Sequence, residues 1–150
     1  MKKDRTRDYA TDAFRLYASL GKPKYEELKK RIYNDALFCE NAEPSRAIIK
    51  ANSEIENNTP LLLDVMAVEK TIDILIQGKK EHIVKAIESV YFVTPYKPLH
   101  KNEVIDRVRY FAQELPASER AVFYWLKEAR LLFAAIRGLR INDDIIKSLQ

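Results

Sequence analysis

Glycine is scarce in this chain, with three in 150 residues. A turn-rich β fold calls on glycine for left-handed backbone, so this scarcity, beside abundant Leu, Ile, Ala, Lys and Glu, favours helices. Cysteine is scarcer still. Cys39 stands alone, so no disulfide can form within the chain and a reducing, cytoplasmic setting is expected. With no activating partner beside it, Cys39 is expected to be a half-buried structural thiol. The two histidines, His82 and His100, lie in different segments. A zinc-type site needs three or four ligands at workable spacing, so both are expected to be surface or capping residues. No apolar run approaches the roughly 18 residues that span a bilayer. The opening "MKKDRTRDYATDAF" has no apolar stretch after its charges, so neither a membrane span nor a secretory signal is expected. A glycine-rich phosphate loop and a nucleophile elbow are also missing. Asp64, Glu69 and Asp73 are spaced five and four apart and do not share one helical face, which suggests a solvated edge rather than paired catalytic carboxylates. No enzymatic activity, cofactor or metal is expected.

What is present is a chain long enough to bury a core, with 47% apolar and 32% charged residues, proportions that fit a globular domain. The net charge of +4 is mild, but its distribution is uneven. Residues 1–33 hold ten Lys/Arg against five Asp/Glu, residues 34–96 six against ten, and residues 97–150 ten against seven. Two basic ends around an acidic middle suggest an anionic partner met by the ends. The basic start "MKKDRTR" could serve as an arm on phosphates or simply as a solubilising terminus.

Apolar spacing predicts an all-α fold of about six helices. Tyr9, Ala13, Phe14, Tyr17 and Leu20 fall on one helical face, and Gly21 is a stop. Pro23 lies near the start of a second helix carrying Tyr25, Leu28, Ile32 and Ala36. A third, from about Ser45, carries Ile48, Ala51 and Ile55. Thr59-Pro60 is an N-cap followed by proline at the first helical position. The segment after it, ending at Gly78, is apolar on more than one face and is the expected central helix. Ile83, Ala86, Ile87, Val90 and Tyr91 face inward on the next. "VTPYKPLH" is a loop or hinge, and two helices follow at about 101–115 and 118–137, the last stopped by Gly138. Residues 1–58 form an N-terminal helical segment, and residues 59–150 hold the central helices and the C-terminal pair, together one compact unit.

The C-terminal pair has the spacing of a helix-turn-helix. Ala112 is the small residue where the second helix crosses, Leu115 precedes a tight turn, and Ser118 can cap the second helix. Pro116 occupies a turn position often taken by glycine. Projected at about 100° per residue, Val122, Trp125, Leu126, Ala129, Leu132, Phe133 and Ile136 form a core stripe. Arg120, Phe123, Lys127 and Arg130 form an adjacent stripe, with three cations and no acid among them. A recognition helix would turn that side to the major groove. Arg120 lies nearest the N-terminal end, where base edges are reached; Lys127 and Arg130 lie where phosphates would be, and Arg107, Arg109 and Lys101 on the preceding helix could add backbone contacts.

"ASERAVFYWLKEARLLFAAIRGLRI" resembles the C-terminal segment of small regulators from phages and clostridial mobile elements, relatives of ArpU/RinA-type late-gene activators and of the sigma-factor C-terminal domain. "VEKTIDILIQGKKEHIVKAIESVYF" is similar to the same proteins, so the resemblance covers roughly residues 60–141, with "RDYATDAFRLYA" similar to their opening. It implies a sequence-specific DNA-binding regulator without catalysis. Where relatives tend to have Thr-Val-Tyr-Arg-Trp, this chain has Ala121-Val122-Phe123-Tyr124-Trp125, which removes two polar groups from the DNA-facing set. Tyr124 and Leu131 form an apolar edge on the opposite flank.

The expected partner is therefore double-stranded DNA, with RNA polymerase and a second copy of the chain as further candidates. A helical protein-protein interaction module and the small subunit of a phage DNA-packaging terminase are the alternatives.

Overall fold

A computed structural model describes residues 5–38 and 43–139. Cys39, expected to be half-buried, and residues 1–4 of the basic start lie outside the described residues. Every element among the described residues is a helix: α1 (Arg5–Ser19), α2 (Tyr25–Phe38), α3 (Pro44–Asn57), α4 (Thr59–Gln77), α5 (Glu81–Val90), α6 (Lys101–Glu114) and α7 (Glu119–Arg137). These are seven rather than about six.

The helix boundaries follow from local chemistry, with two departures from the sequence pattern. Pro44 opens α3, one residue before the expected start at about Ser45, since proline lacks the N–H that a first turn cannot use. Thr59 was expected to cap α4 but is already helical. Asn58 (φ −102°, ψ 15°) is the single link between α3 and α4, and the Thr59 hydroxyl donates back to the Ile55 carbonyl at 3.3 Å. The second departure is at Gly78, which has φ −81°. The left-handed residue closing α4 is Lys79 (φ 60°), and the Lys80 N–H donates to the Leu75 carbonyl at 2.8 Å. That is a Schellman closure with a lysine where glycine has no steric cost.

The core lies between α1, α4, α5 and α7. α4 packs against α1, α2, α3, α5 and α7, as expected of a helix apolar on several faces. Phe14 stacks on Tyr91 (5.8 Å, 9°) and tilts against Phe133 (5.6 Å), tying α1 to the end of α5 and to α7. Val65, Val68, Ile83, Ile87, Val108, Val122 and Leu126 fill the rest, each contributing about 1.5–3 kcal/mol of burial. The division at residue 58 coincides with the α3–α4 link, but α1 belongs to the central layer with α4 and α7, while α2 and α3 pair on its flank.

Buried polar groups lock this layer. Arg15 is only 6% exposed. Its guanidinium donates to the carbonyls of Tyr91 (3.0 Å), Thr94 (2.9 Å) and Lys97. Arg107 donates to the Val90 (2.8 Å) and Val93 (3.1 Å) carbonyls and to the Thr94 hydroxyl (3.0 Å). The two arginines thus serve the C-terminal end of α5 and the following loop, where helix carbonyls have no partners of their own. Burial, and then the charge of Arg107, lower the Arg15 pKa from its ordinary value; an arginine so shifted still keeps its proton.

Asp64 and Glu69 are not the solvated edge that their spacing suggests. Asp64 Oδ1 accepts from Tyr9 (2.7 Å) and from Arg137 Nε (2.8 Å), joining α1, α4 and α7. Burial and the Asp64 hydrogen bond raise the Tyr9 pKa, and the same carboxylate raises that of Arg137. Glu69 accepts the Tyr25 N–H at 2.9 Å and so caps the start of α2 from another helix.

Arg15→Met keeps most of the apolar stem but strands the Tyr91 and Lys97 carbonyls and leaves the Thr94 carbonyl only the Lys97 N–H. It should cost roughly 3 kcal/mol, seen by circular dichroism as a melting temperature lower by roughly 6–12 °C. Lys79→Gly should act oppositely, relieving the left-handed strain for a gain of roughly 0.5–1 kcal/mol in urea unfolding.

Candidate nucleic-acid interface

Residues 115–118 connect α6 to α7. Ala112 is buried and Leu115 is half-buried against the core, as the spacing required. The Ala117 N–H donates to the Ala112 carbonyl at 2.7 Å, which draws the turn tight. Ser118 is the N-cap of α7, and its Oγ accepts the Ala121 N–H at 3.0 Å. None of these four residues has positive φ, so the turn has no position that calls for glycine, and Pro116 is accommodated without strain. α5 packs on both α6 and α7, making a three-helix unit around this turn.

On α7, Val122, Leu126, Ala129 and Phe133 are buried, as expected. Trp125, Leu132 and Ile136, assigned to the same stripe, are only partly buried and pack on its margin. Trp125 meets His82 edge-on at 4.7 Å, so His82 is an interhelical packing residue rather than a surface or capping one. His100 holds the N-cap position of α6 without a side-chain cap bond. The outward side of α7 bears Arg120, Phe123, Tyr124 and Lys127, which line a shallow concavity with Ser118 and Trp125, so Tyr124 shares the cationic side rather than the opposite flank expected for it. Phe123 is 40% exposed and Tyr124 44%. The acids of α7 are held to the sides: Glu119 by Arg109 Nε (3.0 Å) and Glu128 by Lys80.

The remaining residues of the expected set divide. Lys101, the first residue of α6, is exposed, and it meets Phe123 and Arg130 around a second groove. Arg130 donates to the Tyr91 hydroxyl at 2.6 Å and is half-buried. Arg109 spans the turn to Glu119 with about half of each side chain exposed. Arg107 does not join this surface. Its guanidinium is engaged with the end of α5 and the 93–94 loop, and its side chain is 18% exposed. Ser118 is present at the surface as a cap. Sequence reasoning placed Tyr91 inward but could not pair it with Arg130, 39 residues away. Arg5 and Arg7 of the basic start are helical residues of α1, and Arg7 borders the second groove.

Among the described residues there is no group of three or more His, Cys, Asp or Glu side chains placed to hold a metal ion, and no helix long and apolar enough to cross a membrane. Comparison of the chain with protein-family models, with curated proteins and with solved structures finds no match.

Ser118→Ala should remove the cap bond while leaving the turn in place, at a cost of about 1 kcal/mol in denaturant unfolding. An unchanged midpoint would mean that the Ala121 N–H finds water equally well.

Proposed function

We propose that the chain is a DNA-binding transcriptional regulator in which α6, the 115–118 turn and α7 act as a helix-turn-helix of the sigma-factor C-terminal kind, with α7 as the recognition helix. The observation that carries this reading is the outward side of α7. Arg120, Phe123 and Lys127 lie together on a capped helix whose acids are held to the flanks by Arg109 and Lys80. A tight turn and a third helix packed on both members of the pair support the same reading. Arg120, in the first turn of α7, is the residue for base edges. Lys127, with Lys101, Arg109 and Arg130, faces phosphates. Arg107 is left out of this set because its donors are already taken by the fold. The resemblance to mobile-element regulators adds a phage-type setting and RNA polymerase as a further partner to the proposal.

A second reading, a helical interaction module, is favoured by the exposure of Tyr124 and Phe123 on the same helix and of Tyr110 on α6, which is 67% exposed. One experiment separates the two. With four or five phosphates neutralised per protomer, affinity for labelled duplex DNA should fall roughly 10²-fold between about 50 and 200 mM salt. Fluorescence anisotropy on promoter fragments measures this directly. Arg120→Ala should erode preference among fragments by about 1–3 kcal/mol. Lys127→Ala should weaken all fragments alike and flatten the salt slope by about one. No binding at low salt, together with a dimeric mass on size exclusion, would favour the interaction module instead.

A further inference from the structure

The second groove, between the start of α1, the start of α6 and the middle of α7, encloses about 540 Å³. That volume is within the roughly 300–1,000 Å³ of small-molecule sites. Leu99, Val104, Ile105 and Phe123 contribute apolar lining, and Leu126, 1% exposed in the folded chain, lies at its floor. Three cations, Arg7, Lys101 and Arg130, border it against one acid, Asp8. An apolar enclosure with a cationic border suits the body and head of a small organic anion.

The floor also carries a polar pair. Tyr91 is 3% exposed and accepts a hydrogen bond from Arg130 at 2.6 Å. A hydroxyl accepts and donates independently, so the Tyr91 hydroxyl that accepts from Arg130 can still donate. Arg130 likewise has donors beyond the one given to Tyr91. A phenol O–H and a guanidinium N–H, side by side beneath apolar walls, match the two oxygens of a carboxylate. Such a site favours a singly charged head over a phosphate dianion, whose desolvation costs more.

We propose that this groove is a binding site for a small amphipathic monocarboxylate, with an aromatic or branched apolar body against Val104, Ile105 and Phe123 and its carboxylate on Tyr91 and Arg130. The site does not rest on the DNA-binding reading, although Lys101, Phe123 and Arg130 also belong to that surface.

Isothermal titration of the full chain with 2-naphthoate, against its neutral analogue 2-naphthamide, tests it. The acid should bind one to one with a dissociation constant on the order of 10–100 μM, and the amide at least about tenfold more weakly. Tyr91→Phe keeps the stacked ring and should weaken the acid about tenfold and the amide less. Ile105→Trp narrows the groove from its wall, away from the polar pair, and should abolish binding of both. Melting curves establish that each variant is folded. Equal affinity for acid and amide would overturn the proposal. So would absence of heat with the acid on the folded wild-type chain, or binding indifferent to both substitutions.

Discussion

The interaction on which the rest of the structure depends is the grip of Arg15 and Arg107 on the backbone between Val90 and Lys97. α5 ends there, and the segment carries Pro95 and a left-handed Thr94 (φ 45°), so it cannot satisfy its own carbonyls by continuing the helix. One arginine comes from α1 and the other from α6, so the same bonds that satisfy the loop fix where α6 begins. Burying a guanidinium is unfavourable unless its donors are used, and here one buried cation meets at least three carbonyls. The segment expected to be a loop or hinge is thereby held from both sides.

α7 is where the fold and the candidate surface coincide. Its buried stripe packs on α1, α4, α5 and α6, while Arg120, Phe123 and Lys127 face outward. Both ends are fixed by side chains: Ser118 at the start, and Arg137 on Asp64 near the finish. Gly138 supplies the left-handed close (φ 79°). A surface helix anchored in this way presents its side chains in a set register, which any recognition by side-chain pattern requires.

The helices were legible because burial follows a 3.6-residue period over long segments, as on α7 from Val122 to Phe133. So was the Ser118 cap, a local bond spanning three residues. What could not be read was pairing across distance. Arg15 lies beside the apolar face of α1, and nothing local marks it as buried; its partners are 76 to 82 residues away. Asp64, Glu69 and Arg107 escaped for the same reason, since a charged residue on an amphipathic helix is solvated unless a distant element brings it a partner. Thr59 shows the limit of capping rules. Its hydroxyl prefers the carbonyl four residues back because α3 arrives almost without a break.

The contact between Trp125 and His82 has a spectroscopic side. Trp125 is the single tryptophan of the chain. It is half-buried at the α5–α7 seam and borders the concavity that holds Arg120 and Lys127. Its emission therefore comes from one place only, sensitive on one side to the seam opening and on the other to whatever is laid across α7. The molecule carries its own optical reporter where the core meets the candidate surface, and no label need be attached to the surface in question.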